Sequence, residues 1–195
     1  MIGVLRVLAT SRIGMTTGLT IAPIAAIGLY CAGLQLTDNF HVIAAGEAYR
    51  SAQPTPAEID AYSKEYGIKT IINLRGASPD SRWYRAEEHE AAKLGITLID
   101  FRMSAGEELT QARAAQLIAI LEKAQKPILI HCKAGADRSG LASALYLAVV
   151  DRAKKSTAGQ QISLRYGHIS LPFAPAYAMD KTWASLEPSL EVANS

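Results

Sequence analysis

Short apolar segments alternate with helical segments along the middle of this chain. Three of them are compact and rich in isoleucine or leucine, at residues 68–74, 96–101 and 128–130. Strands that alternate with helices are typical of α/β folds with a parallel sheet. The sequence therefore predicts an α/β fold with a mostly parallel central sheet flanked by helices. Such sheets bind ligands beyond the carboxyl ends of their strands, so we expect the chemistry just after these segments.

Capping residues mark the helix boundaries. Thr55 followed by Glu58 has the pattern of a capping box, and Gly67 marks a stop, which predicts a helix from about Pro56 to Tyr66. Residues 37–55 contain turn-forming residues and are predicted to be irregular. Further helices are predicted over residues 82–94, 109–124, 139–152, 156–166 and 177–187.

The N-terminal segment differs from the rest of the chain. Residues 13–36 carry no charge, and as a helix they would span roughly 36 Å, enough to cross a bilayer core of about 30 Å. Arg6 and Arg12 precede this stretch, so the positive-inside rule places residues 1–12 in the cytoplasm. We therefore expect a single-pass transmembrane helix over 13–36 and a body, residues 37–195, on the extracytoplasmic side. A cleaved signal peptide is the alternative.

Charge and cysteine content exclude two classes of protein. The net charge is +2, and Arg6 and Arg12 account for it, so the body is neutral. A neutral body lacks the basic surface that nucleic-acid binding needs, and no nucleic-acid partner is expected. Cys31 and Cys132 stand in very different surroundings, which excludes a disulfide framework.

The loop after the third apolar segment carries the residues suited to catalysis. Its sequence is HCKAGADRSG, residues 131–140. Backbone N–H groups that curl round one point ahead of a helix form a nest for a tetrahedral anion, and the planar fork of Arg138 suits two phosphate oxygens. The same positive field favours the thiolate of Cys132, a nucleophile for a bound phosphate. The predicted anion-binding residues are Lys133, Ala134, Gly135, Ala136, Asp137 and Arg138.

This loop resembles a known signature. It satisfies H-C-x-x-G-x-x-R-[ST]-G, which is typical of cysteine-based protein tyrosine and dual-specificity phosphatases. The segments YRSAQP (49–54), IINLRG (71–76) and SLRYGH (163–168) resemble the bacterial atypical dual-specificity branch. The resemblance covers about residues 40–185. It implies hydrolysis of phosphate monoesters through a phosphocysteine at Cys132, with no metal and no cofactor.

The resemblance also implies roles for neighbouring residues. Arg138 would bind the substrate and stabilise charge on the transferring oxygens, and Ser139 would donate to the sulfur of Cys132 as it leaves. The first step needs a general acid, which the family usually supplies as an aspartate from the loop after the strand that precedes the long helix. That loop contains no aspartate here. Glu107 or Glu108, Asp100, or no dedicated acid at all are the alternatives.

The class of substrate stays open at this point. A protein tyrosine or dual-specificity phosphatase is favoured, and the phosphorylated partner would then be a protein. Lys133 adds a cation to the loop, as suits a phospholipid or phosphoinositide substrate near a membrane. The missing aspartate leaves a catalytically weak, phosphate-binding pseudophosphatase as a further alternative. Sulfur transfer is disfavoured by the Arg-Ser pair. A positive rim is expected from Arg50, Arg75 and Arg102.

Overall fold

The computed structural model describes residues 25–190. Residues 25–36 are helical and form α1. The strands are β1 (His41–Ala44), β2 (Ala48–Ser51), β3 (Thr70–Asn73), β4 (Thr97–Asp100) and β5 (Ile128–His131). The further helices are α2 (Pro56–Tyr66), α3 (Arg82–Leu94), α4 (Gln111–Lys123), α5 (Asp137–Leu145), α6 (Lys155–Gly159) and α7 (Ala178–Leu186). A π-helical turn, Tyr146–Val150, extends α5, and short 3-10 turns lie at Leu164–Tyr166, Pro175–Tyr177 and Glu187–Ser189.

The strands form one sheet in the order β1-β2-β5-β3-β4. The pairs β2·β5, β5·β3 and β3·β4 are parallel, and β1 joins β2 as an antiparallel hairpin. Both faces of the central strands are covered, so every residue of β3 and β5 is buried. This burial explains why these strands are apolar runs rather than alternating patterns.

The predicted helix boundaries agree closely with the structure where a cap was visible in the sequence. The Thr55 side chain accepts a hydrogen bond from the backbone N–H of Glu58, and the Glu58 carboxylate accepts one from the N–H of Thr55. Gly67 and Gly95 end α2 and α3 in the left-handed conformation, with φ of 68° at each. These two ends need a residue without a Cβ, and the chain supplies one.

The prediction that residues 37–55 are irregular is wrong. They contain β1 and β2, joined by a turn at Gly46, where φ is 76°. All four residues of β2 are buried. Arg50 is one of these four residues. A charged residue in so short a strand lowers its mean hydropathy, so the strand was not predicted.

The prediction of a transmembrane helix over residues 13–36 is also wrong, and with it the single-pass topology. Within residues 25–190 no helix is both long and apolar enough to cross a membrane. The end of α1 packs on the body instead: the Tyr30 hydroxyl donates to the Arg165 carbonyl (2.6 Å), and the Gln35 amide donates to the Ala134 carbonyl (3.0 Å). Residues 1–24 lie outside the described part.

Candidate active site

The register of the sheet brings four strand ends to one edge. Ser51 and Asn73 both pair with His131, and Asn73 also pairs with Asp100. The residues that follow each parallel strand therefore start at the same level. This is the carboxyl edge at which the sequence predicted the chemistry.

The loop from Cys132 to Ala136 curls at this edge and leads into the first turn of α5, which contains Asp137 and Arg138. Gly135 adopts a φ of 69°, and a Cβ there would lie 2.6 Å from the backbone nitrogen of Ala52. The position therefore requires glycine, both for its backbone angle and for its approach to the end of β2. Among residues 25–190, the backbone amides of Lys133 to Arg138 find no carbonyl acceptor. Their donors are left for a ligand, as in an anion-binding nest.

Arg50 holds the reverse side of this loop. Its Nη2 donates to the carbonyls of Gly135 and Ala136, each at 2.9 Å, and its Nη1 donates to the Gln161 carbonyl at 2.8 Å. The Tyr166 ring lies 4.2 Å from its guanidinium carbon. Burial lowers the pKa of Arg50 to about 10, so it stays charged at neutral pH. The sequence predicted a rim residue, but Arg50 is fully buried beneath the loop.

Cys132 and Ser139 meet inside the curl, and Arg138 lies in the first turn of α5. The Sγ of Cys132 lies 3.5 Å from the Oγ of Ser139, and both residues are buried. The Nη1 of Arg138 lies 3.5 Å from the Leu74 carbonyl and 3.4 Å from that of Met103, which orients the guanidinium along the sheet edge. Its Nε is buried and has no acceptor in the described part of the chain. The arginine therefore keeps donors for an anion.

Nothing in the sequence indicated that Glu87 forms a buried pair with His131 beneath the loop. The Nε2 of His131 lies 2.7 Å from the Oε1 of Glu87, and both side chains are completely buried. The other oxygen of Glu87, Oε2, accepts a hydrogen bond from the amide of Gln53 at 3.2 Å. The sequence shows only a short acidic run on α3, so nothing distinguishes Glu87 from its exposed neighbour Glu88 before the fold is known.

The three candidate acids occupy different places. Asp100, at the end of β4, accepts from the Asn73 amide (2.8 Å) and the Tyr84 hydroxyl (2.6 Å), and the latter bond raises the pKa of Tyr84. Glu108 pairs with Lys181 at 3.5 Å. The exposed carboxylate of Glu107 makes no hydrogen bond or ion pair within residues 25–190.

Both glutamates line a cavity of about 500 Å³ beside the loop. Its lining also includes four arginines, namely Arg75, Arg102, Arg113 and Arg138. The predicted rim residues Arg75 and Arg102 thus do reach the site, together with Arg113 from the first turn of α4. Asp100 is not part of this lining.

His168 links the loop to the C-terminal helix. Its fully buried ring bridges Asp137 and Asp180, with Nδ1 2.8 Å from Asp137 Oδ1 and Nε2 2.8 Å from Asp180 Oδ2. Ser170 donates to the other oxygen of Asp180. Burial opposes the imidazolium charge, but the hydrogen bonds to the two carboxylates outweigh it and raise the pKa of His168. A protonated His168 donates to both carboxylates and partly offsets the negative charge of Asp137 and Asp180.

This bridge makes stability depend on pH. The pKa of His168 is higher in the folded state than the value of 6.5 expected in the unfolded chain. The stabilisation from His168 is therefore complete at a pH below 6.5, and it is lost as the pH rises through the folded-state pKa. We expect His168→Gln to reduce the free energy of unfolding more at about pH 6 than at about pH 9, measured by urea denaturation. The exposed His89→Gln is the matched control. An equal loss at both pH values would contradict the charged bridge.

The fold and the loop define a member of the cysteine-based protein tyrosine and dual-specificity phosphatase superfamily. A family model described as "DSP-PTPase phosphatase fused to NAD+ kinase" matches residues 38–172, more than two thirds of the chain. The chain belongs to this family. No curated protein matches it significantly.

Solved structures show the same fold at low sequence identity. TpbA of P. aeruginosa is 20% identical, with a TM-score of 0.57 over 76% of this chain and 85% of that one. The Siw14 catalytic core is 19% identical, with a TM-score of 0.55 over 78% and 92%. PTPMT1 in complex with PI(5)P is 19% identical, with a TM-score of 0.57 over 78% and 99%.

Proposed function

We propose that this chain hydrolyses phosphate monoesters with Cys132 as the nucleophile. The observation that carries the proposal is the orientation of the loop. Its carbonyls at Gly135 and Ala136 point back to Arg50, while six amides from Lys133 to Arg138 have no acceptor within residues 25–190. Oriented amides and a guanidinium stabilise the charge of a transferring phosphoryl group before it arrives.

In the first step, the Cys132 thiolate attacks phosphorus and the ester P–O bond breaks. Glu107 gives its proton to the leaving oxygen. In the second step, the Glu107 carboxylate takes a proton from water as the oxygen attacks the phosphocysteine. The P–S bond breaks, inorganic phosphate leaves, and the sulfur departs as a thiolate that accepts a hydrogen bond from Ser139.

We propose Glu107 rather than Asp100 or Glu108 as the acid. Glu107 lines the same cavity as Arg138, and its carboxylate is exposed to that cavity without a cation partner in the described residues. Glu108 is paired with Lys181, and Asp100 is engaged by Asn73 and Tyr84. A proton donor must reach the leaving oxygen, which favours the free carboxylate.

The test is a comparison of leaving groups with the full chain in EDTA. p-Nitrophenol leaves without much help, whereas phenol needs a proton. We expect turnover of both esters, and Glu107→Gln to lower kcat/KM for phenyl phosphate about 10²-fold more than for p-nitrophenyl phosphate. Asp100→Asn, the matched control, should affect both esters equally. Strict dependence on a divalent ion, or no turnover of either ester, would refute the proposed reaction.

Two substrate classes are compatible with this chemistry. A phosphotyrosine protein is supported by TpbA, whose C132S form was solved with pTyr, and a phosphoinositide by PTPMT1, solved with PI(5)P. Both relatives are about one fifth identical to this chain, so they support the fold more than the substrate.

A further inference from the structure

The cavity beside the loop contains more guanidinium groups than one phosphate requires. Besides Arg138, it is lined by the three-arginine cluster Arg75, Arg102 and Arg113. None of these arginines forms an ion pair with a carboxylate in residues 25–190, although Glu107 and Glu108 share the lining. Like charges held close together are unfavourable, and such arrangements are typical of functional sites.

Neutral contacts hold the cluster in place. The Nη1 of Arg75 donates to the Gln53 side chain at 2.8 Å, and its guanidinium stacks on the Trp83 ring at 3.4 Å. The Nη2 of Arg113 donates to the Arg102 carbonyl at 2.8 Å. The Nη2 of Arg102 donates to the Ala77 carbonyl at 2.5 Å. These acceptors orient each guanidinium without cancelling its charge, and further N–H donors remain on each.

The cluster comes from three separate elements at one edge. Arg75 and Arg102 follow β3 and β4, while Arg113 lies in the first turn of α4 and stacks on Phe101 at 4.0 Å. Burial and the neighbouring charge of Arg138 lower the pKa of Arg75, so these two arginines lie within electrostatic reach of each other. An anion between them would relieve this repulsion.

We propose that the three-arginine cluster is a second anion site, and that the substrate is a compact molecule with a second phosphate group. One phosphate is held by the loop for hydrolysis while the other is bound by Arg75, Arg102 and Arg113. Guanidinium forks bind phosphate oxygens in pairs. The cavity of about 500 Å³ has the size of a site for a whole small molecule. The choice of which phosphate is hydrolysed rests on the proposed function. Binding of the second phosphate does not depend on it.

Binding is therefore tested first, in Cys132→Ser protein that cannot turn the ligand over. By calorimetry, we expect butane-1,4-diyl bisphosphate to bind at least about 10-fold more tightly than butyl phosphate. Arg102→Met and Arg113→Met should each lower the affinity for the bisphosphate about 10-fold more than that for the monophosphate. Lys123→Met, at the far end of α4 and outside the cavity, is the control and should change neither.

Two further measurements keep the outcome unambiguous. Thermal melting identifies a variant that fails to fold. If Arg113→Met is lost in this way, Arg102→Met alone tests the site, because Arg102 is exposed. Salt should weaken bisphosphate binding more steeply than monophosphate binding in the protein with intact arginines. Affinities for the two alkyl phosphates within twofold of each other would overturn the proposal, even if hydrolysis is observed. Tight bisphosphate binding without hydrolysis would sustain it and refute only the proposed function.

The second phosphate has two sources, a soluble bisphosphate and a lipid headgroup that carries a phosphodiester beside its monoester. Turnover of phosphatidylinositol 4-phosphate in phosphatidylcholine vesicles is compared with turnover of the same headgroup without acyl chains. A lower kcat/KM of Arg102→Met with either the vesicle lipid or the free headgroup supports the second anion site. The substrate that shows the loss identifies the source of the second phosphate. Independence from Arg102 in both arms, with a monophosphorylated phosphotyrosine peptide as the better substrate, would contradict it.

Discussion

Cys132→Ser is expected to lower kcat for p-nitrophenyl phosphate by a factor on the order of 10⁴ to 10⁶, because a hydroxyl at this position lacks the nucleophilicity of a thiolate. The substitution changes one buried atom for a smaller one, so the loop and its amides should persist. Inorganic phosphate should therefore still bind, which calorimetry can verify. Loss of turnover with retained binding assigns the defect to the chemical step.

Cys31→Ser is the matched control, since Cys31 is the other free thiol and lies on α1 rather than in the loop. It should keep turnover within about twofold, as expected for a conservative substitution away from the loop. Residual activity of Cys132→Ser above about one tenth of wild type would show that another group attacks phosphorus. Acid quench of the wild-type protein during turnover should trap a phosphate ester on sulfur.

Local chemistry explains which elements the sequence predicted well. The Thr55–Glu58 capping box and Gly67 form hydrogen bonds with backbone groups at the two ends of α2. All these residues lie within a few positions of the helix ends, so the local sequence determines its boundaries. Gly95 plays the same part for α3. The loop at 131–140 was recognisable for a similar reason, because an anion nest needs its residues at fixed spacing.

Residues that act across the fold were not predictable in this way. Arg50 is 85 residues from the Gly135 carbonyl it binds, and His168 is 31 from Asp137. A lone arginine or histidine has the same appearance in a sequence whether it faces solvent or a buried acceptor. The prediction of a transmembrane helix over residues 13–36 failed for a related reason, since hydropathy does not reveal the contacts that Tyr30 and Gln35 make with the body.

Arg50 carries the largest expected effect on stability. Arg50→Met should lower the free energy of unfolding by about 3 to 5 kcal/mol, because it leaves the buried carbonyls of Gly135, Ala136 and Gln161 without their donor. Arg50→Lys restores the charge but not the fork, and one ammonium cannot reach both the loop and Gln161 as the guanidinium does. We therefore expect the lysine variant to recover only part of the lost stability.

The lysine variant also separates packing from catalysis. If Arg50 holds the loop carbonyls so that the amides face the phosphate, Arg50→Lys should lower kcat for p-nitrophenyl phosphate more than it raises KM, because misplaced amides cost most in the transition state. Urea denaturation and steady-state kinetics measure the two effects. The exposed Arg165→Met removes a charge near the same Tyr166 ring without touching the loop, and should change neither. A kcat of Arg50→Lys equal to wild type would show that the loop keeps its curl without the fork.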